Sequence, residues 1–469
     1  MAKRKRNTIT AFSIILLIII GLALLTWVIP SVDDASIATI VMAPYNGLVN
    51  AIDVCVFVLV LGGFLNVVNK TGALDTGIKS LVSKLNGKEL YLIPALMILF
   101  ALGGTTFGMC EETMGFYALV STTMVAAGFD TLVAASIILL GAGIGCLGST
   151  VNPFATGIAS DALVSLGYDV NQGIIIILGL ILTVINLSIC IFFVMSYARK
   201  VKYEKGSIMS QSELAAMNEE YASKDKQDIL VLTSKQKGVL TLFVCSFLIM
   251  VLAVIPWDSF IPEKIFNTLF GWSSFLNGEP LGLWWFGELA MWFFLLSIIC
   301  GIVGGLKEKE IVDAFISGAA DVVSVVLIIA VARGTSVLMS ETGLDLFILE
   351  LAASTLRGVS AIIFAPLSFL IYIGLSFLIT SSSGCATATI PIMGSLAVEL
   401  GYNPAVMIMI FSAANGIVNL FTPTSGVVMG GLQIARVDYS TWIKWVLKII
   451  IICTIVSALI LTTAMILLT

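Results

Sequence analysis

The sequence contains no histidine and carries little charge. None of the 469 residues is His, and only 11% are Asp, Glu, Lys or Arg. The eight cysteines are scattered singly, with no Cys-x-x-Cys pair among them. These absences disfavour zinc and haem sites, and they leave no serine or cysteine with a histidine base for nucleophilic catalysis. We therefore expect neither a resident cofactor nor an enzymatic activity.

Long apolar runs dominate what the sequence does contain. Hydrophobic residues make up 59% of the chain, and its mean hydropathy is +1.08. A run of about 18 or more apolar residues with few charges is long enough to span a bilayer. We predict one integral, multi-pass membrane domain, with apolar segments at about 9–29, 51–68, 90–102, 131–147, 172–195, 238–255, 283–303, 322–332, 361–380, 404–421 and 446–468.

The N-terminal region combines a basic cluster with the first apolar run. Lys3-Arg4-Lys5-Arg6 precedes roughly 20 apolar residues, too many for the apolar core of a signal peptide. No small-residue cleavage site follows Pro30. Basic residues beside a membrane helix are typical of its cytoplasmic end. We therefore predict a first spanning helix with a cytoplasmic N-terminus, and no binding to nucleic acid.

Two parts of the chain share a pattern that returns after about 271 to 273 residues. Lys70-Thr71-Gly72-Ala73-Leu74-Asp75 returns as Glu341-Thr342-Gly343-Leu344-Asp345, and Gly143-Ile144 returns as Gly416-Ile417. Each part ends in a hydrophobic segment interrupted by Gly, Ser, Thr, Asn and Pro. Paired interruptions of this kind are the best sequence indication of a substrate site near the middle of the membrane in a secondary transporter.

The distribution of Lys and Arg predicts the orientation of the two parts, because cytoplasmic loops carry an excess of both. The basic, and therefore cytoplasmic, segments are the N-terminus, 70–88, 197–237 and 307–309. The segments with almost no Lys or Arg, predicted to be external, are 31–45, 161–171, 257–282 and 341–358. The first repeat then begins outside and the second inside, so the two form an inverted-topology repeat.

The predicted fold is an all-α polytopic membrane protein with two inverted-topology repeats. Each repeat holds one full span, one re-entrant helical hairpin and one broken transmembrane helix. The mixed-charge loop 197–237 is interpreted as a solvated connector without a chemical role. The predicted segments are 1–45 (first transmembrane helix and external loop), 46–165 (repeat 1, hairpin about 90–127, broken helix about 130–165), 166–316 (linking helices with loop 197–237), 317–435 (repeat 2, hairpin about 361–400, broken helix about 403–435) and 436–469 (last transmembrane helix).

Four polar interruptions occur at predicted membrane depth, as two hairpin tips and two helix breaks. The tips are 108–113 and 381–385, and the breaks are 148–153 and 419–426. Non-helical backbone inside a bilayer is tolerated only where protein or a watery cavity satisfies its polar groups. Four such sites in symmetric positions therefore predict a shared substrate cavity.

Glu111 and Glu112 form a pair of adjacent carboxylates in a stretch with no basic residue between Lys88 and Arg199. A charge near the bilayer centre costs about 2.5 to over 10 kcal/mol, so such residues usually serve a transport pathway. The pair could coordinate a cationic substrate, a coupling proton, or both. Alternatively, one of the two lies solvated and inert at the membrane edge.

Arg333 is the main intramembrane positive charge. It could meet a substrate carboxylate, or it could pair with Asp53, Asp313 or Asp321. The adjacent Gly334 is typical of close helix packing and favours the structural pairing.

Neutral donors and acceptors complete the predicted site. Asn415 and Asn419 lie one turn apart, and Asn419 faces the cavity if the helix unwinds at Pro423. No catalytic residue and no metal ligand is predicted. The predicted substrate-binding residues are Glu111, Glu112, Thr113, Ser149, Thr150, Asn152, Ser381, Ser382, Ser383, Asn419, Thr422, Thr424 and Ser425.

The chain resembles the ion-transporter superfamily, and most closely the C4-dicarboxylate anaerobic carrier and YfcC-like family, which includes bacterial arginine/ornithine antiporters. The resemblance covers nearly the whole chain and rests on Gly103-Gly104-Thr105-Thr106-Phe107-Gly108-Met109-Cys110-Glu111-Glu112-Thr113, on Asn152-Pro153 with Thr156-Gly157, on Ser381-Ser382-Ser383-Gly384 and on Thr422-Pro423-Thr424-Ser425-Gly426. It implies a scaffold domain and a transport domain, hairpins that meet at the substrate, a homodimer and elevator-type alternating access. Other branches carry Ser-Asn-Thr signatures at the tips, so their carboxylate and sodium ligands cannot be transferred residue for residue.

These observations lead to one functional hypothesis and one main alternative. We expect a secondary transporter in the cell inner membrane that exchanges basic amino acids such as arginine and ornithine, because the first tip offers two carboxylates and no basic partner. The alternative is a proton- or sodium-coupled transporter of C4-dicarboxylates or small peptides, with Arg333 as the anion partner. A channel is less consistent with inverted hairpins. The expected partners are a small solute, membrane lipid and a second copy of the chain.

Overall fold

The computed structural model describes residues 11–74, 76–77, 80, 88–204, 206–221, 232–255, 257–259 and 261–468. Some sequence predictions concern residues outside these ranges, namely the basic cluster at 3–6, parts of 70–88 and residues 222–231 of the loop. All regular secondary structure in the described residues is helical. The fold is therefore all-α, as predicted.

The helices of the first half end with a very long one of 33 residues. Their bounds are α1 Ala11–Thr26, α2 Ile37–Asn50, α3 Ile52–Lys70, α4 Leu92–Phe107, α5 Met114–Ala126, α6 Thr131–Leu147, α7 Ile158–Ser165 and α8 Gln172–Glu204. Three further helices follow before the second half, and their bounds are α9 Gln211–Tyr221, α10 Ser234–Val254 and α11 Glu263–Leu269.

The described helices of the second half also include a span, a helical hairpin and a broken helix, in that order. Its helices are α12 Phe286–Gly304, α13 Glu308–Asp321, α14 Val323–Thr342, α15 Leu344–Leu356, α16 Ala361–Leu378, α17 Ser382–Glu399, α18 Pro404–Val418, α19 Gly426–Ile434 and α20 Tyr439–Leu467. In the described residues, seven helices are long and apolar enough to cross a membrane: α3, α4, α8, α12, α14, α16 and α20. These helices are those of a multi-pass membrane protein.

The hairpins and the broken helices lie in the segments where the sequence analysis predicted them from the polar interruptions. α4 and α5 form the first hairpin, and α16 and α17 form the second. The first broken helix consists of α6, a π-helical turn at Pro153–Gly157 and α7. The second consists of α18 and α19. Asp130 and Asn403 start α6 and α18 at equivalent positions, because each accepts a backbone N–H bond that caps the helix.

Glycines allow the two halves to pack closely through their first helices. α2 lies against α14 and α3 lies against α13, so each half contributes the same pair of surfaces. A Cβ at Gly47 would lie 2.2 Å from the carbonyl oxygen of Ala330, and one at Gly318 would lie 2.3 Å from that of Gly62. Gly334, in turn, faces the backbone of Ala43. The close packing that Gly334 indicates is therefore present.

A second symmetric contact joins the broken helices α6 and α18. Gly143 meets the side chain of Leu420, and Gly416 meets the backbone of Leu147. These glycines occupy equivalent positions in the repeat, and so do the two leucines, 273 residues apart. The reciprocal contact holds the two helix breaks, which follow directly, beside one another.

The described part of the connector between the halves contains more helix than the sequence suggests. Residues 197–204 continue α8, and α9 lies within the segment 197–237 that we interpreted as a solvated loop. Glu213 on α9 is only 4% exposed, and its carboxylate accepts bonds from the backbone N–H of Asp438 (2.8 Å) and the hydroxyl of Thr441 (3.1 Å). It therefore caps the first turn of α20. Part of the connector is docked on the second half.

Candidate functional site

A cavity of about 220 Å³ lies where the two hairpin tips meet. Both tips line it, together with the second helix break and the first turn of α3. One face of α14 closes a further side, and the aromatic pair Phe154 and Trp285, with ring centroids 4.7 Å apart, lies at another. The cavity therefore gathers elements from both halves of the chain around one small volume.

The first hairpin tip presents Glu112 to this cavity. Gly108 ends α4 with φ of 76°, a left-handed conformation that favours glycine. The chain then makes a 3-10 turn at Glu111–Thr113, and the backbone N–H of Cys110 donates to the Glu112 carboxylate at 3.1 Å. The Glu112 residue is 6% exposed and lines the cavity with Thr113. The side chain of Glu111 lies outside the described part of the structure.

The second hairpin tip presents three serines. Ser381, Ser382 and Ser383 all line the cavity where α17 begins. The Ser381 hydroxyl caps α17 by accepting a bond from the backbone N–H of Gly384 at 3.3 Å, and it lies 3.2 Å from the Ser383 hydroxyl. The tip therefore offers hydroxyls and the positive end of a helix, and no ionised side chain.

The predicted polar residues of the first helix break hydrogen-bond to groups near the break. They do not line the cavity. Ser149 donates to the Cys146 carbonyl at 2.7 Å, and Asn152 donates to Ser149 at 2.9 Å. The Asn152 side-chain oxygen also accepts from the backbone N–H of Phe154. All three predicted residues of this break, Ser149, Thr150 and Asn152, are buried and absent from the cavity wall. In the structure these side chains hydrogen-bond to backbone groups at and near the break.

The second helix break contributes directly to the cavity wall. Asn419, Thr424 and Ser425 line it, whereas Thr422 is fully buried behind Thr424, with the two hydroxyls 2.6 Å apart. The side chain of Asn419 donates to Asn415 at 3.0 Å. The two breaks, although related by the repeat, thus differ in their access to the cavity.

One threonine in each half ties a hairpin to its own helix break. The Thr150 hydroxyl donates to the Thr105 carbonyl near the end of α4 at 2.9 Å. The Thr424 hydroxyl donates to the Phe377 carbonyl near the end of α16 at 3.0 Å. Both carbonyls lie in the last turn of a helix, where the helix itself supplies no N–H donor. These bonds fix each tip against the break beside it.

Two charged residues of the cavity wall belong to neither a tip nor a break. Asp53, in the first turn of α3, and Arg333, in the middle of α14, both line the cavity. We did not predict Asp53 as a site residue, although an acidic residue inside the apolar run 51–68 was a signal for it. Among the described residues, the ion pairs within 4.0 Å are Lys202–Glu89 and Arg436–Glu220. The expected pairing of Arg333 with Asp53, Asp313 or Asp321 is therefore not formed.

Among the described residues, five helices begin at the cavity wall. The first turns of α3, α5, α12, α17 and α19, or the residues that immediately precede them, all line it. A helix N-terminus carries a partial positive charge from unpaired backbone N–H groups. The wall thus combines the buried carboxylate of Glu112 and the exposed carboxylate of Asp53 with positive potential from Arg333 and the helix ends. Such a site can bind a solute that carries charges of both signs.

Comparison with known proteins identifies the family. The family model of the C4-dicarboxylate anaerobic carrier matches residues 34–466. The chain belongs to the C4-dicarboxylate anaerobic carrier family. An uncharacterized protein of Haemophilus influenzae is 30% identical over 407 residues, which cover 86% of this chain and 74% of that protein. Escherichia coli YfcC, provisionally named a basic amino acid antiporter, is 28% identical over 422 residues, covering 86% of this chain and 76% of that protein.

Solved structures of other membrane proteins are similar over the length of this carrier-family chain. The YdaH transporter of Alcanivorax borkumensis covers 97% of the chain with a TM-score of 0.44 and 14% identity. MtrF of Neisseria gonorrhoeae, described with a class of antimetabolite efflux pumps, covers 97% with a TM-score of 0.41 and 17% identity. The family assignment itself rests on the sequence match. The protein is a multi-pass membrane transporter of this carrier family.

Proposed function

We propose that the cavity binds a basic amino acid and that the protein exchanges one such amino acid for another, with arginine and ornithine as the leading pair. The observation that carries the proposal is the Glu112 carboxylate, which faces the cavity from the first hairpin tip with Asp53 in the same wall. Two carboxylates in one wall favour a cation, most strongly at the buried Glu112, where the effective dielectric constant is lower. The name of the relative YfcC supports the same class of substrate.

The size of the cavity agrees with a solute of this kind. Pockets for drug-sized ligands typically enclose about 300–1,000 Å³. A cavity of about 220 Å³ suits a smaller molecule, such as a single amino acid, better than a peptide. The small volume therefore supports the amino-acid proposal over transport of small peptides.

Alternating access is proposed to follow an elevator mechanism in a homodimer. The hairpins and broken helices, which surround the cavity, would form the transport domain. The closely packed helices α1–α3 and α12–α14 are candidates for the scaffold, because glycines lock α2 to α14 and α3 to α13. The resemblance to the ion-transporter superfamily suggests both the mechanism and the dimer. We place the protein in the cell inner membrane with a cytoplasmic N-terminus.

A proton- or sodium-coupled C4-dicarboxylate transporter is the second candidate. It is favoured by the description of the family and by the guanidinium of Arg333 in the cavity wall, which has no carboxylate within 4.0 Å among the described residues. The same wall, however, places Glu112 and Asp53 where a dianion would be repelled. In our proposal exchange needs no cofactor, whereas this alternative adds a coupling H⁺ or Na⁺.

A thermal-shift screen of the purified protein tests the substrate class. A ligand that binds only the folded state raises the melting midpoint in a concentration-dependent manner. We expect stabilisation by arginine, ornithine or lysine, and none by succinate or fumarate under the same conditions. Stabilisation by dicarboxylates alone, particularly if it requires Na⁺ or low pH, would favour the second candidate instead.

A further inference from the structure

We infer that Arg333 binds the α-carboxylate of the transported amino acid, so that the site selects an amino-acid head group together with a cationic side chain. This inference rests on the proposed function and names the chemistry by which the same cavity would recognise its substrate. A site of this kind would bind basic amino acids in preference to organic cations that lack a carboxylate.

The first observation is the position of Arg333. Its side chain is half-buried on α14 and lines the cavity. In the described structure it has no carboxylate within 4.0 Å, although Asp53 belongs to the same wall. An ionisable group at membrane depth is usually paired or serves a substrate pathway. A guanidinium also matches a carboxylate with two parallel N–H bonds, which gives geometric selectivity.

The second observation places a helix N-terminus beside this guanidinium. Gly426, the first residue of α19, faces Ile329 so closely that a Cβ would lie 2.7 Å from the isoleucine Cγ1. Ile329 lies one turn before Arg333 on α14, and both residues line the cavity. No side chain caps α19, so its first N–H groups have no capping partner. Arg333 and the start of α19 together provide charged and backbone donors for an anion.

The third observation is the balance of charge in the wall. The ionisable acids and bases of the described wall are two carboxylates, Asp53 and Glu112, and one guanidinium, Arg333. A basic amino acid at neutral pH carries two cationic groups and one carboxylate. Its charges therefore complement those of the wall sign for sign, with its carboxylate at Arg333 and its cationic groups toward Asp53 and Glu112. An organic dication without a carboxylate would leave Arg333 unpaired and face its repulsion.

Calorimetric binding of three related ligands tests the inference. Arginine, its amide and its decarboxylated form agmatine share the guanidinium but differ at the carboxylate. We expect wild-type protein to bind arginine about 10- to 100-fold more tightly than the other two, because their binding leaves Arg333 and the N–H groups of α19 without an anion. In Arg333→Gln, arginine should bind no better than agmatine, while agmatine should bind as well as before or better.

Two further variants separate recognition from folding. Arg333→Lys keeps the charge but loses the two-pronged geometry, so its preference for arginine over agmatine should be intermediate. Arg357→Gln removes an exposed arginine outside the cavity wall and should leave the preference unchanged. Because the ratio of two affinities is measured on one preparation, partial unfolding of a variant does not alter it.

The contrary outcomes distinguish this inference from the proposed function. Equal affinity of wild-type protein for arginine and agmatine would overturn the inference and leave basic amino-acid transport intact. Equal weakening of both ligands by Arg333→Gln would likewise overturn it and assign Arg333 a structural role. If succinate binds and neither arginine nor ornithine does, the proposed function and the inference both fail.

Discussion

Glu112 is the residue on which substrate binding is expected to depend most. The N–H of Cys110 holds its carboxylate in place, and the residue is nearly buried at the cavity wall. A buried carboxylate positioned in this way attracts a cation without first having to be ordered. Glu112 therefore supplies the buried carboxylate of the wall, beside the more exposed Asp53.

Glu112→Gln should weaken binding of a basic amino acid by roughly 10- to 100-fold. The lost attraction between unit charges is about 4 kcal/mol at an effective dielectric constant near 20. The easier desolvation of a neutral amide offsets much of it, leaving on the order of 1–3 kcal/mol. Isothermal titration calorimetry with arginine measures the change. Glu350→Gln is the matched comparison, because it neutralises an exposed carboxylate outside the cavity wall. If neither variant loses affinity, the main argument for a cationic substrate fails.

The two threonines that tie the hairpins to the breaks provide a matched pair of substitutions. Thr424→Val should destabilise the protein by about 1–3 kcal/mol, since it removes a donor to the Phe377 carbonyl near the end of α16. Thr150→Val should cost less, on the order of 0.5–1.5 kcal/mol, because the Thr105 carbonyl still accepts from the backbone N–H of Thr150 at 2.8 Å. Only Thr424→Val should also weaken arginine binding, because Thr424 lines the cavity and Thr150 does not. Melting midpoints and calorimetry on the same preparations check both statements. Equal losses of affinity in the two variants would contradict the asymmetry of the breaks.

The structure places some of the residues predicted from the sequence in the cavity wall and others outside it. Residues of the two tips and of the second break could be recognised from the sequence as candidate cavity residues, because polar groups inside apolar segments are rare. The sequence could not show that the first break satisfies itself, since that depends on Ser149 and Asn152 bonding locally. It also could not show which way Arg333 faces, because one helix carries both Arg333 and its packing neighbour Gly334.

At the scale of helices, close contacts at glycine residues determine how α6 and α18 pack against each other. The reciprocal pairs Gly143–Leu420 and Gly416–Leu147 set the crossing of α6 and α18, and this crossing places both breaks beside each other. A close-packed contact that is repeated by symmetry tolerates little added volume. The geometry of the cavity thus depends on contacts that do not line it.

Gly416→Ala should destabilise the protein by about 1–3 kcal/mol or more, because the new methyl group would meet the Leu147 backbone at 2.3 Å. Gly374→Ala is the control, since a Cβ there meets nothing within 4 Å and alanine favours a helix interior. Thermal unfolding followed by tryptophan fluorescence compares the two. A Gly416→Ala midpoint equal to that of Gly374→Ala would show that the α6–α18 contact is not tightly packed.

The positions of the hairpins and broken helices could be predicted from the sequence, whereas the docking of the connector could not. Apolar runs and polar breaks indicated the hairpins and the broken helices, because membrane helices must satisfy their own backbone. The segment 206–221 has the mixed polar composition of a solvated loop, and nothing local distinguishes a docked helix from a free one. Its docking depends on Glu213 meeting the N-terminus of α20, more than 200 residues later in the chain.

The whole molecule is expected to work as a dimer of elevators. Motion of one domain past another requires a fixed scaffold, and a second copy of the chain would provide it. Native mass spectrometry of the protein in mild detergent should detect a dimer as the main transport-competent species. A preparation that is entirely monomeric and still transports at the full rate would contradict this prediction.

Counterflow in proteoliposomes tests the central claim, obligatory exchange of basic amino acids, most directly. Vesicles containing the purified protein and loaded with ornithine should take up labelled arginine, whereas empty vesicles or vesicles loaded with succinate should not. Glu112→Gln should reduce the uptake by ornithine-loaded vesicles, and Arg357→Gln should not. Uptake of labelled succinate into succinate-loaded vesicles, without any exchange of arginine for ornithine, would contradict the account.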